Sequence, residues 1–356
     1  MQRNSNSSRF LLNPSGFTLL ILLALILSAI AFTYLHISQI TPFIFAFLVT
    51  AGLGYVVVPQ LQKIKASQII QEDGPSSHLK KAGTPTMGGI FFIPPAIIIG
   101  VFMADFSPRA IALAFITLGY SVIGWIDDWQ ILRKKTNLGL TPKQKLALQI
   151  IFAIAFCIWS ALTQPSEITN LRLPFNLVLS LGFFFWFIAI FAIVAESNAT
   201  NLTDGVDGLA GGTSAIAFLG LGIVVHQTHP DLLPFCLAMG GSCLGFIVHN
   251  RNKASVFMGD TGSLALGASL SAIGILSQHL WALFIISLIF FLESISVIAQ
   301  VTYYKATKDE NGKGKRLLKM APIHHHLELS GWTETQIVGV FYLINTILVI
   351  LIIYVN

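Results

Sequence analysis

Long apolar stretches divide this chain, near residues 17–37, 41–61, 86–105, 109–127, 146–163, 176–195, 209–227, 232–249, 261–279, 281–303 and 335–355. Runs of 18 or more apolar residues are long enough, at about 1.5 Å per helical residue, to cross roughly 30 Å of hydrocarbon. Strand signals are too sparse for a transmembrane barrel. Charge points the same way. Only 10% of the 356 residues are Asp, Glu, Lys or Arg, against about 25% in an ordinary soluble domain. A soluble fold of this length cannot cover itself with so few charges. The expected fold class is all-α, a polytopic membrane protein with about eleven transmembrane helices. Cys157, Cys236 and Cys243 lie inside apolar stretches without metal-ligand spacing and read as small hydrophobes.

One stretch carries an acid, Glu293. Thirteen Leu, Ile, Val or Phe residues share 281–303 with it. Each favours insertion by about 0.3–0.6 kcal/mol and the acid costs about 3 kcal/mol, so the stretch still reads as a span. Glu293 itself reads as glue between helices.

The basic residues set the orientation. With the N-terminus in the cytoplasm, the inside segments are 1–16, 62–85, 128–145, 196–208, 250–260 and 304–334. Of the 21 Lys and Arg residues, only Arg109 and Arg172 fall outside these segments. The positive-inside rule is closely obeyed, so the net charge of +5 is a topology signal. No stretch combines basic and aromatic residues in a folded polar module, so a nucleic-acid partner is not expected. Arg3 and Arg9 precede an apolar core with Ala29-Ile30-Ala31, which resembles a cleavage site, but the run continues to Ile37 and favours a retained helix. On the other face, residues 164–175 suit a small hairpin. No internal repeat suggests a transporter built from inverted halves.

The remaining polar residues cluster on the inside face. Lys80-Lys81 followed by Gly83-Thr84-Pro85-Thr86-Met87-Gly88-Gly89 suits a phosphate cradle, or an anchor with a helix start. Asp127-Asp128 ends a hydrophobic span, where adjacent acids repel and desolvation adds to the cost. A cation or a basic contact would offset this; solvated end charges are the alternative. Asn198, Asn201, Asp204 and Asp207 lie in one Asn/Asp/Gly-rich segment. The last three recur every three residues, so on a helical turn they share one side. Their side chains suit the imide face and hydroxyls of a nucleoside, and a capped inter-helix turn fits as well. Asp260, in Val256-Phe257-Met258-Gly259-Asp260-Thr261-Gly262-Ser263, is either an N-cap or an oxygen ligand for Mg²⁺. His324, His325 and His326 are consecutive, which does not suit one shared ion. Imidazoles near a phosphate are the better reading. Gly312-Lys313-Gly314-Lys315 lacks the Walker frame.

Four strings carry a resemblance: GTPTMGG at 83–89, NLTDGVDGLA at 201–210, VFMGDTGSLALG at 256–267 and MAPIHHH at 320–326. One such string can arise by chance; four in this order do not. The chain resembles the phospho-N-acetylmuramoyl-pentapeptide transferase family, within the polyprenyl-phosphate N-acetylhexosamine 1-phosphate transferase superfamily. The resemblance covers roughly 41–356. It implies a ten-helix integral membrane transferase domain over 41–356, so that 1–40 is an N-terminal extension with an extra membrane helix.

The implied reaction transfers phospho-MurNAc-pentapeptide from UDP-MurNAc-pentapeptide to undecaprenyl phosphate, giving lipid I and UMP. The implied location is the bacterial plasma membrane, embedded in the lipid bilayer, with the active site cytoplasmic. The cofactor implied is Mg²⁺, with Asp260 at the metal-ligand position and Asp127 and Asp128 at the catalytic pair. Lys81, Asn201, Asp204 and Asn250 match nucleotide-binding positions, and the three histidines a phosphate- or sugar-side motif. Asn198 and Asp207 join the expected substrate-binding set. A lipid phosphate is largely a dianion at neutral pH, its second pKa being about 6, which favours metal and substrate positioning by the Asp pair over general-base catalysis.

Some positions depart from the family pattern. A lysine usual three residues after the Asp pair is Ile131 here, leaving Arg133, Lys134, Lys143 and Lys145 as candidate replacements. Lys253, Leu327 and Ala195-Glu196 also differ from the usual residues. A sister transferase using UDP-GlcNAc would keep the Asp clusters, but MAPIHHH favours the first reading. A transporter would need ionisable residues along a mid-membrane path, which only Glu293 approaches. The oligomeric state stays open, with a homodimer among the options.

Overall fold

The computed structural model describes residues 13–64, 81, 83–134, 139–174 and 177–355. Of the basic residues used to orient the chain, Arg3, Arg9, Lys65, Lys80 and Lys135 lie outside the described residues. Five helices come first: α1 (Gly16–Tyr34), α2 (Thr41–Lys63), α3 (Gly89–Met103), α4 (Pro108–Lys134) and α5 (Pro142–Thr163). A hairpin of β1 (Asn170–Leu173) and β2 (Leu177–Ser180) follows. Then come α6 (Phe184–Thr203), α7 (Leu209–Val225), α8 (Leu233–Asn250), α9 (Asp260–Leu276), α10 (Leu280–Ile286), α11 (Leu288–Ala306), α12 (Ile323–Glu328) and α13 (Glu334–Val355).

Each expected apolar stretch falls largely on helix. Among the described residues, seven helices are long and apolar enough to cross a bilayer: α1, α2, α4, α5, α6, α8 and α13. The molecule is therefore a polytopic helical membrane protein. Three apolar helices, α3, α7 and α9, are shorter. The stretch 281–303, read as one span, is broken instead: α10 and α11 meet at Ser287 with a bend of 70°. Hydropathy averages over such a break, because both halves are apolar.

Helices α7, α8 and α9 form the centre and bury nearly all their residues. Between membrane helices, lipid is as apolar as leucine, so close backbone packing rather than apolar burial holds them together. The small residues of these three helices meet that need. A Cβ at Gly241 of α8 would lie 2.1 Å from the Phe43 carbonyl of α2, and one at Gly267 of α9 would lie 2.4 Å from the Glu196 carbonyl of α6. The outer helices expose large apolar side chains, such as Phe187 and Phe191 on α6.

Several boundaries move. The hairpin pairs Asn170 with Ser180 and Leu173 with Leu177, so it lies several residues beyond the expected 164–175. Its second strand takes the residues expected to open the 176–195 span, and α6 starts only at Phe184. Helix α4 runs two turns past residue 127, to Lys134, so Asp127 and Asp128 sit inside a helix rather than at its end.

Candidate active site

The C-terminal turns of α4 and α6 meet the N-termini of α5, α7 and α9 at one end of the bundle, and the acids gather there. Asp260 opens α9 and is the junction. Its Oδ1 accepts a hydrogen bond from the Asn201 amide of α6 at 2.7 Å, and that amide also donates to Ser263 at 2.9 Å. Its Oδ2 pairs with the Lys145 ammonium of α5.

Lys145 is brought there by local sequence. Thr141 and Gln144 form a reciprocal capping box at the start of α5, which satisfies otherwise orphaned amides and fixes the helix entry. Asp127 tethers the segment just before it, because its Oδ1 accepts from the Leu140 amide at 2.8 Å. Lys145 then lies one turn in, and its charge also acts on Asp127 and Asp128.

Asp128 does something different. One oxygen accepts from the Asp260 amide at 3.2 Å, and the other from the Thr261 amide at 3.0 Å and the Thr261 hydroxyl at 2.6 Å. These are orphan donors at the start of α9. Asp128 is therefore the N-terminal cap of α9, supplied from another helix, and its charge suits the helix dipole. Gly124, one turn earlier on α4, permits the approach, since a Cβ there would lie 2.1 Å from the Asp260 carbonyl.

The segment 84–89 is a second brace. The Gly88 and Gly89 amides donate to the Phe257 and Met258 carbonyls at 2.8 and 3.0 Å, and the Phe257 amide donates to Pro85 at 2.7 Å. A phosphate cradle would need those two glycine amides, so this loop instead holds the turn leading to Asp260.

The segment 201–208 splits. Helix α6 ends at Thr203, so Asn201, Asp204 and Asp207 do not share one helical face. Asp204 is part-exposed but densely surrounded. Its carboxyl is pushed well above the usual range by burial and then by Asp260, Asp128 and Asp207, while a bond to the Gly259 backbone opposes the shift. Asp207 turns away, accepting from Lys81 at 2.8 Å and from the Ala254 amide at 3.0 Å. Lys81 also bonds Glu334 at 2.7 Å. Burial works against the Lys81 ammonium, but these two carboxylates outweigh it and raise its pKa.

A sequence profile described as glycosyl transferase family 4 matches residues 110–278. A phospho-N-acetylmuramoyl-pentapeptide-transferase signature matches residues 81–93. The phospho-N-acetylmuramoyl-pentapeptide transferase of Rippkaea orientalis is 62% identical over 346 residues, 95% of each chain. This chain belongs to the phospho-N-acetylmuramoyl-pentapeptide transferase family. The relative from Synechocystis sp. is 62% identical over 347 residues, again 95% of each chain. That from Microcystis aeruginosa is 59% identical over 355 residues, 99% of each chain.

As a member of the phospho-N-acetylmuramoyl-pentapeptide transferase family, the chain was expected to gather a set of substrate residues, and the structure sorts that set. Asp127, Asp128, Asn201, Asp204 and Asp260 meet at the α9 start. Asn198 points elsewhere: both its amide hydrogens are spent, on Gln149 at 2.9 Å and on the Val194 carbonyl at 2.8 Å. Asn250 is buried and staples two segments, accepting from Gly208 at 2.9 Å and donating to Val256 at 2.8 Å. The histidine run also divides. His324 is fully buried. His325 bonds Glu328 at 2.7 Å, and His326 accepts from the Lys319 amide at 3.1 Å.

Two residues add to the sequence reading. Of the four candidate replacements for the lysine absent at Ile131, Lys145 is the one paired with Asp260. Glu334 was not singled out, because an acid opening a helix reads as an ordinary dipole partner.

Among the described residues, no group of three or more His, Cys, Asp or Glu side chains is arranged to hold a metal ion. Asp128 is committed to its cap. The charges of Asp127 and Asp260 act on each other, and their oxygens, now bonded to Leu140, Asn201 and Lys145, are the ones a cation could share. That pair fits Mg²⁺, which is usually held by one or two carboxylates together with substrate phosphates.

Proposed function

We propose that this site transfers phospho-MurNAc-pentapeptide from its UDP carrier to undecaprenyl phosphate, releasing UMP and forming lipid I. The convergence of Asn201, Lys145 and Asp127 on Asp260 carries this reading. Acids and a lysine at one helix start suit a pyrophosphate donor and a phosphate acceptor. An oxygen of the lipid phosphate attacks the sugar-side phosphorus. The bond from that phosphorus to UMP breaks, and UMP leaves with the electron pair. The acceptor is already largely a dianion at neutral pH, with a second pKa of about 6, so no side chain has to remove a proton. Positioning and charge neutralisation do most of such catalysis.

In this reading Asp127 and Asp260 hold Mg²⁺, which when bound neutralises charge on the pyrophosphate. Lys145 balances Asp260 and lies beside the phosphates. Asp204 and Asn201 face the nucleotide, and Lys81 with Asp207 and Glu334 holds the wall behind it. The purified protein is expected to release UMP from UDP-MurNAc-pentapeptide in the presence of undecaprenyl phosphate. Release from UDP-GlcNAc alone would assign it to the sister activity.

We place the site on the cytoplasmic face, with eleven hydrophobic segments crossing. Basic residues gather at the end where α4 and α6 finish, and they support this placement. Helix α9 has 17 residues and spans about 26 Å at 1.5 Å per residue. This is short of about 30 Å of hydrocarbon, so its start would be recessed toward the lipid phosphate. The three native cysteines are buried, which leaves a low labelling background. Lys308→Cys is expected to react with an impermeant maleimide only after lysis, and Ser166→Cys in intact cells. The opposite pattern would refute the placement.

A further inference from the structure

Helix α11 carries two polar side chains seven residues apart, Glu293 and Gln300, and both hold the same loop. Gln300 accepts from the Leu317 and Leu318 amides at 3.0 and 2.8 Å and donates to the Leu318 carbonyl at 3.2 Å. Seven residues is close to two helical turns, so the pair lies on one face. Glu293 meets the first histidine of the run: its Oε2 lies 3.2 Å from His324 Nδ1, and both residues are fully buried. The two atoms are at ion-pair distance but not aligned for a hydrogen bond. The other edge of the ring faces the acidic turn. A Cβ on Gly205 would lie 2.2 Å from His324 Nε2, and that nitrogen has no hydrogen-bond partner. Gly205 sits between Asp204 and Asp207.

An ionisable side chain buried inside a membrane helix is expensive, and such residues usually pair with another ionisable group. Removing one partner of such a pair leaves the other uncompensated. Here the pair joins a membrane helix to the turn that presents Asp204. We propose that Glu293 is a positioning residue: from inside α11 it holds the His324 ring under Gly205 and so fixes the 204–207 turn for the nucleotide donor. His324 then acts as a wedge behind the site, while His325 and His326 stay part-exposed. The 204–207 turn being donor-facing rests on the function proposed above; its being braced by Glu293 does not.

Two volume-matched variants separate pairing from packing. Glu293→Gln keeps an acceptor oxygen, and Glu293→Met keeps only the bulk. Two readouts apply: steady-state kinetics with UDP-MurNAc-pentapeptide, and amide hydrogen exchange of the 201–210 peptide in the unliganded protein. For Glu293→Met, the donor KM is expected to rise about tenfold with a smaller change in kcat, as for lost ground-state positioning. Exchange across 201–210 should rise too. Glu293→Gln should fall between Met and wild type on both readouts. His324→Ala should match Glu293→Met, and the double variant should be no worse than either single one. Wild-type exchange at 201–210 in Glu293→Met, or additive losses in the double variant, would overturn the proposal. Should Glu293→Met not fold, Glu293→Gln decides by the same exchange criterion. If the wild-type protein released no UMP, the proposed reaction would fail while the exchange readout still judged the brace.

Discussion

Asp260→Asn in the purified, detergent-solubilised protein is expected to lower turnover by about 10³-fold or more, with the fold intact. The reasons lie in what Asp260 touches. Its two oxygens are shared between Asn201 and Lys145, and it has Asp127 as an acidic neighbour. An asparagine keeps the shape and loses the charge. Without that charge Lys145 is unbalanced and one of the two carboxylates suited to Mg²⁺ is gone. The start of α9 should survive, because its amides are capped by Asp128 and not by the Asp260 side chain. Thermal unfolding of the variant should therefore stay close to wild type. Chelation of divalent ions should silence the wild type, and added Mg²⁺ should restore it. If Asp260→Asn kept more than about a tenth of wild-type turnover, the central role given to this carboxylate would be wrong.

Asp128→Ala should fail in another way. It strips three hydrogen bonds from the first turn of α9, leaving the Asp260 and Thr261 amides and the Thr261 hydroxyl without their acceptor. Buried donors without partners and a lost cap cost about 2–4 kcal/mol together. The unfolding midpoint should fall, and turnover should drop about 100-fold, because a displacement near 1 Å at the reacting groups is enough for that. Asp128→Asn retains one acceptor oxygen and should lie between wild type and alanine in both stability and turnover. A fully stable Asp128→Ala protein with no turnover would mean that Asp128 acts on substrate directly, contrary to the cap. The two neighbouring acids are thus expected to separate by experiment: Asp128 through stability, Asp127 through chemistry at Asp260.

Much of this was legible in sequence because membrane helices are written in long, simple runs. Each apolar stretch falls largely on helix, and Asp127, Asp128, Asn201, Asp204 and Asp260 meet at one end. Where the reading slipped, the cause is local. The 70° break at Ser287 lies between two apolar helices, so no change in hydropathy marks it. The strand Leu177–Ser180 is apolar enough to pass for the start of a span. Asn198 belongs to the same Asn/Asp segment as Asn201, but three residues of helix turn its amide toward Gln149 of α5.

What the sequence determined by itself is the class of molecule, its sidedness as an expectation, and the list of polar residues a lipid-facing chain would not keep without a use. Those follow from one-dimensional quantities: length of apolar run, placement of Lys and Arg, identity of the few acids. What only the tertiary structure decided is how each polar atom is spent. Asp128 caps a helix 132 residues away, Gly88 and Gly89 give their amides to Phe257 and Met258, and His324 sits behind the site on Glu293. A hydrogen bond needs its partner within about 3.5 Å and near the right angle, and residues so far apart in sequence acquire that geometry only when the helices between them pack.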